Sequence, residues 1–558
     1  MKNIRGGKYL NIGICITVLC LCVVLKAAYA HDSLDRAYKR GTISAEAYVV
    51  QKLKSYFTPD TVKPSLKKIL KTDNKKPTRN ITHLLQYART HFDSFSEESQ
   101  TYLMRYFARP TDENNYDTDF GVWYLPDPNY WDPSVSEYPH IGGKFRFWYV
   151  DHATEDGGGN LHTTTLTYVK SVASVLDTVY NVEINTMGYP APPDDNNKDD
   201  NGGDEKFDVY IMDCGAVGFF GYVSSVGKAT DATSGDEANS YYSFMVLDND
   251  FSSTQFPEST PTGALKVTAA HEYHHAIQFG ININSSLWYG EITSTWMEDQ
   301  VFDDVDDNRE FLADFFNSPE VSLDYEGDDY HYYGAWIWNE FIETNWGQNT
   351  IKLIWDELDP YGSDSAIVAI DTVLAGKGST LQEAFTEFAA KNYSKTGFYK
   401  DASQTNYYIA VNIANSAVHE LTPNSTISQQ TVSVDHCASK YFKFIPGAAI
   451  TASSYAYEEY YFNLDTNENT GTVTIDDFFS GTVCEVVLAL VNYSKTGSND
   501  DLEIVYSATL TSGALAITVD GVDGKDLDAV AISKMRNEPG DEESGGCFIT
   551  STCLTMGN

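Results

Sequence analysis

The chain has 558 residues, 42% of them hydrophobic and 21% charged, which is globular composition with material for more than one core. Its formal charge is −41, distributed unevenly: residues 1–30 hold +4, residues 31–110 hold +7 from fifteen Lys and Arg against eight Asp and Glu, and residues 111–558 carry −52. A surface so acidic repels phosphate backbones and anionic lipid, which argues against nucleic-acid or membrane-surface binding by the main body and favours calcium and cationic partners. Nothing in the sequence bears on oligomeric state.

Taken in chain order, Lys2, Arg5 and Lys8 precede an apolar run from Ile12 to Leu25, and Ala28-Tyr29-Ala30 offers small residues for cleavage. Residues 1–30 are therefore expected to be a secretory signal peptide removed after Ala30, its apolar run being short for a membrane span, and no stable membrane insertion is expected after its removal. The expected location is extracellular, with attachment to the cell surface as a variant of that reading.

Residues 31–110 read as a basic helical segment. Ser44 is placed to cap a helix containing Val49, Leu53, Tyr56 and Phe57; a second contains Leu84, Leu85, Tyr87 and Ala88; a third starts near Ser96 and stops before Pro110. A segment of +7 ahead of a body of −52 suits a removable inhibitory propeptide, and equally an ordinary basic subdomain.

From about 111 to 402 the texture is mixed. Lys144–Val150 alternates like a strand, Tyr168–Tyr180 reads as helix and Phe207–Met212 as a short buried strand. Between them the acidic stretch 194–205 could wrap Ca²⁺, although it lacks the EF-hand spacing and a solvated loop is the simpler reading. Residues 403–535 carry strand signals at 431–434, 440–445, 485–493, 502–510 and 514–519, which predict a β-sandwich accessory domain. Residues 536–558 read as a flexible tail. Cys437 could pair with Cys484 and Cys547 with Cys553, leaving Cys214 unpaired.

Chemistry concentrates at Thr268–Gly280 (TAAHEYHHAIQFG), where a helix capped by Gly280 is expected. One turn apart on that helix, His271 and His275 can reach one Zn²⁺, and Glu272 flanks the open coordination position as base and then acid. His274 falls out of register and is expected to pack or to support the ligands from behind. A third protein ligand is needed, and Glu291 projects from the first turns of the next helix, capped by Ser285 or Ser286. Thr295 and Glu298, one and two turns further, are candidates to orient the imidazoles.

Trp288 and Glu291 stand in a Trp-x-x-Glu pattern that resembles the second helix of the gluzincin zinc peptidases. The pair HEYHHAIQFG and EITSTWMED is similar to a group of secreted bacterial metallopeptidases with HE-x-x-HA-x-Q-[FY]-G and E-x-T-[AS]-T-W-x-E-D helices. The resemblance runs from the basic segment to about residue 400 and implies an α+β fold with a gluzincin-like core, with His271, His275 and Glu291 as metal ligands and Glu272 as the base. Such peptidases stabilise the oxyanion with a Tyr or His, for which His331, Tyr332 and Tyr333 are the candidates. The tail residues Gly545–Thr550 resemble a Gly-Gly-Cys-Phe-Ile box of some secreted bacterial proteins. The resulting expectation is a secreted zinc metallopeptidase. Its rival is a non-catalytic surface-binding or adhesive protein that keeps the peptidase fold.

Overall fold

The computed structural model describes residues 34, 37–38, 41–57, 61–63, 78–111, 136–140, 143–151, 163–195, 204–229, 239–326, 330–358, 365–394 and 413–447, together with most of the strands between 455 and 537. The expected signal peptide, most of the acidic stretch proposed for Ca²⁺, the side chain of Cys484 and the cysteine-bearing tail lie outside the described residues.

A six-stranded sheet holds the first half of the chain together. In spatial order it runs β1 (Thr78–Asn80), β5 (Phe219–Lys228), β6 (Tyr241–Asp248), β4 (Phe207–Met212), β3 (Phe145–Tyr149), β2 (Ser136–Pro139). β3, β4 and β6 are mutually parallel, β5 is antiparallel to β6, β2 antiparallel to β3, and β1 pairs in parallel with the outer edge of β5. β4 shows why the middle strands read as unbroken apolar runs: Val209 and Ile211 face one core, Tyr210 and Met212 the other, so both pleat faces are covered.

One face carries α4 (Leu166–Tyr180) and α5 (Pro261–Asn282). Val169, Val172 and Leu176 of α4 and Ala269, Tyr273 and Ala276 of α5 bury against Phe145, Val209, Met245 and Leu247. The opposite face is covered by α1 (Ala45–Phe57), α2 (Thr82–Thr90) and α3 (Glu97–Phe107), which are the helices expected in the basic segment. Val49, Leu53, Leu84, Leu85, Leu103 and Phe107 close over Tyr210, Phe219, Tyr222 and Phe244. Buried Arg109, just past α3, bonds both Asp208 of β4 and Asp195. Helices α1 to α3 are thus one layer of a three-layer unit.

Helix starts follow sequence chemistry. Ser96 accepts from Ser99 N at 3.4 Å, Thr165 from Tyr168 N at 3.2 Å and Thr260 from Gly263 N at 3.1 Å, with Pro261 at the first position of α5. Gly280 does not cap α5, contrary to expectation, for the helix continues to Asn282. Its lack of a side chain has another cause: a Cβ there would stand 2.6 Å from Pro193 Cδ.

Beyond α6 (Leu287–Val301), the helices α7 (Leu312–Phe316), α8 (His331–Gly334), α9 (Ile337–Trp346), α10 (Asn349–Leu358), α11 (Ala366–Gly376) and α12 (Leu381–Ser394) complete this half. Among the described residues the C-terminal part is β: a five-stranded sheet, β10 (Tyr455–Phe462), β15 (Ala529–Asn537), β12 (Val483–Asn492), β9 (Ala438–Pro446), β7 (Ala417–Leu421), and a four-stranded sheet, β11 (Thr470–Ile475), β14 (Ala514–Gly521), β13 (Leu502–Thr511), β8 (Thr426–Val434). Phe442, Leu488 and Leu490 of one sheet share a core with Ile504, Tyr506 and Ile517 of the other, which makes a sandwich. Tyr441 Oη of β9 donates to Ala389 O of α12 at 2.8 Å, joining the halves. The architecture is mixed helix and strand with three sheets, compatible with α+β. Cys214 is buried and unpaired. Among the described residues no helix is long and apolar enough to cross a membrane.

An acidic group below α6 gives a pH prediction. Burial, with Glu343 and Asp299 adding to it, raises Glu340 to about 8; burial raises Asp299 to about 7, and Arg309 opposes both shifts. The fold favours these acids protonated, so their contribution is complete below the ordinary carboxylate range near pH ~4 and is lost as pH rises through about 7 to 8. Urea midpoints should therefore fall from pH 5 to pH 9 (~2 units either side of neutral), and Glu340→Gln should flatten the fall. An unchanged slope in that variant would remove Glu340 from the account.

Candidate metal centre

The site sits where α5 passes beneath the β5 edge of the sheet and α6 crosses α5. α5 is buried from Val267 to Phe279, so His271, Glu272, His274 and His275 are enclosed whichever way they point. Such side chains need partners, because an unsatisfied polar group in a core costs far more than one at the surface.

His271 Nε2 and His275 Nε2 lie 3.1 Å apart; Glu291 Oε2 is 3.3 Å from the first and Glu291 Oε1 3.5 Å from the second. All three residues are 2% exposed. Each imidazole is held from behind. His271 Nδ1 donates to Glu298 Oε1 at 2.8 Å, and His275 Nδ1 to Gln278 Oε1 at 2.8 Å. With both Nδ1 atoms so engaged, both Nε2 atoms present lone pairs, and the carboxylate adds more.

Three ligand-type groups thus converge. Their spacing is close to the edge of about 3.3 Å expected for a tetrahedral ion with bonds of about 2.0 Å. The buried group His271, His275 and Glu291 could hold a metal ion. Burial opposes charge on His271, but the Glu291 and Glu298 carboxylates overcome it and raise the imidazole to about 10. Glu291, which burial alone would push up, is held well below the ordinary range by His275 and His271.

Glu272, 1% exposed, is raised to about 7 by burial, with His271 and His275 pulling the other way. His274 is turned away. Its Nδ1 lies 2.9 Å from Glu183 Oε2 on the π-helical turn Asn181–Thr186, and burial moves Glu183 well up and His274 well down, so the pair is neutral.

Gln278, noticed in the sequence only as part of a pattern, clamps α5 to α6. It accepts from His275 and donates to Gly290 O at 3.0 Å and to Ser294 Oγ at 3.1 Å. Gly290 permits that approach, since a Cβ there would meet Gln278 Oε1 at 3.1 Å. Ser286 occupies the N-cap position of α6, but its hydroxyl accepts from Ala366 N instead of capping.

Four further residues come from the basic segment, where sequence reasoning placed none. Asn80 Nδ2 lies 2.9 Å from His271 Nε2 and 3.3 Å from Glu291 Oε2; its Oδ1 accepts from Thr82 N. Thr82 Oγ1 donates to Glu272 Oε2 at 2.9 Å and accepts from Val223 N of β5. Arg79 donates to Glu298 Oε2 at 2.9 Å, and His83 Nδ1 is 3.7 Å from Glu291 Oε1.

The remaining candidates are spread out. Tyr333 is buried with its ring 6.1 Å from that of His271. Tyr332 is 6.0 Å from the His83 ring and lines, with Tyr38, Tyr87, Trp288 and Glu291, a cleft of about 550 Å³. His331 stands against Phe315 and Tyr325. Thr295 is buried, and its hydroxyl makes no hydrogen bond among the described residues. No family model, curated protein or solved structure matches the chain, so the site has to be read from its own geometry.

Proposed function

We propose that the chain is a zinc-dependent peptidase that hydrolyses peptide bonds by activating water, built on a gluzincin-like core. The observation that carries this reading is the buried convergence of His271, His275 and Glu291 beside a fourth acid, Glu272, one residue along the same helix. The donor set of two imidazoles and one carboxylate is the set that zinc takes while keeping a position open.

Zinc bound there supplies a Lewis acid that polarises a carbonyl and acidifies water. The chain's own residues supply the rest. His271 and His275 are locked in the metal-binding tautomer by Glu298 and Gln278, so no reorientation is needed on loading. Glu272 takes the proton of the attacking water on a carboxylate oxygen and returns it to the nitrogen of the leaving amine. A carboxylate in that place has no structural duty in merely holding an ion, which favours catalysis over a binding or adhesive role for the same fold. The substrate is a protein or peptide. The leader-like residues 1–30 support secretion, and the accessory sandwich is free to serve attachment.

Casein zymography of the full chain tests the reading: clearing should disappear with a chelator and return when zinc is restored. Zinc retained with no cleavage, both in the parent and with Asn80 substituted, would leave the binding role as the better account.

A further inference from the structure

We infer that residues 79–82 hold this centre in a latent form, with Asn80 filling the corner of the metal polyhedron where water or a substrate carbonyl has to stand. The inference rests on the peptidase reading above. Three independent contacts carry it.

The first is position. Asn80 Nδ2 lies 2.9 Å from His271 Nε2 and 3.3 Å from Glu291 Oε2, close to the spacing the ligand atoms have among themselves, and so stands against the position that the three residues would give an ion. Its carboxamide donates to the lone pairs an ion would use, and Thr82 N on Oδ1 fixes that orientation. The second is the base: Thr82 Oγ1 bonds Glu272 Oε2, and with Val223 N bonded to the same hydroxyl the contact is anchored on β5. The third is the strand. β1 pairs along the outer edge of β5 alongside the site, which is the way an extended peptide joins a sheet.

The device is local. Helices α1 to α3 are packed as a layer of the fold, whereas β1 is three residues long and paired on one side. Withdrawing it leaves the layer in place and frees the metal corner, while release of Glu272 needs only that Thr82, at the start of α2, turn its hydroxyl away. The charge contrast between the +7 segment and the −52 body supplies attraction that keeps the strand seated.

The test uses the full chain loaded with cobalt(II), whose visible spectrum reports a new ligand, and acetohydroxamate as the probe. Asn80→Ala should bind acetohydroxamate about 10- to 100-fold more tightly than the parent and cleave a peptide library correspondingly faster. Asn80→Asp, isosteric and able to ligate, should bind the probe more weakly than the parent. It also provides a folded control should the alanine variant prove unstable.

Equal probe affinity in the parent and Asn80→Ala, or both substitutions moving it in the same direction, would overturn latency and leave the peptidase reading standing. Slower hydrolysis in Asn80→Ala with cobalt retained would also overturn it, by making Asn80 a catalytic donor. Tighter probe binding in Asn80→Ala with no cleavage by any form would keep the latch and overturn the peptidase reading. Failure of every form to take up cobalt would overturn both.

Discussion

Glu272→Gln should lower the proposed peptide hydrolysis by about 10²- to 10⁴-fold with the zinc content unchanged. Glutamine matches the shape of the buried side chain and can still accept from Thr82, so the packing around α5 is kept. What it loses is the ability to take a proton from water. Because Glu272 is not among the three residues that converge on the ion position, metal uptake measured by atomic absorption should match the parent. Undiminished hydrolysis in this variant would end the role assigned to Glu272.

The second large effect is expected from His275→Ala. It removes one corner of the triad and leaves Gln278 Oε1 and Glu291 Oε1 in a dry interior without their imidazole. Loss of a partner behind a ligand typically costs 10- to 100-fold in affinity, and loss of the ligand itself should cost more than that ~100-fold ceiling. The parent should gain roughly 4 kcal/mol when zinc is held near 1,000 times its dissociation constant. Thermal unfolding of His275→Ala should show no such gain. His274→Ala is the internal comparison: it breaks the neutral pair with Glu183 and lowers stability, yet should keep the response to zinc. A zinc response lost in His274→Ala and kept in His275→Ala would mean that the ligands have been misassigned.

The parts of the molecule that were legible from sequence are those written locally. HEYHH on a helix places two imidazoles one turn apart, and the next helix offers Glu291 at its start. The same holds for α3, whose Ser96 cap and amphipathic spacing define it without help from the rest of the chain. β1 is the opposite case. Thr78-Arg79-Asn80 lies next to a lysine-rich stretch with no alternation, and it becomes a strand only because β5 has an open edge. Its contacts span about 190 to 220 positions, so no local pattern could announce Asn80, Thr82 or Arg79. β5 was missed for a related reason: covered on both faces and interrupted by Gly221 and two serines, it shows neither alternation nor a clean apolar run. Glu298 could be proposed from spacing alone, whereas placing Gln278 required the crossing of α5 and α6.

The layer formed by α1 to α3 bears on where the working unit of this molecule begins. Tyr210, Phe219, Tyr222 and Phe244 face those helices, and their cover comes from residues 34–107. A chain trimmed back to residue 111 would present that aromatic wall to solvent, with Asp195 and Asp208 deprived of their guanidinium. Such a fragment is bound for aggregation. Any maturation that frees the centre has therefore to spare these helices, either by nicking the backbone or by displacing a few residues.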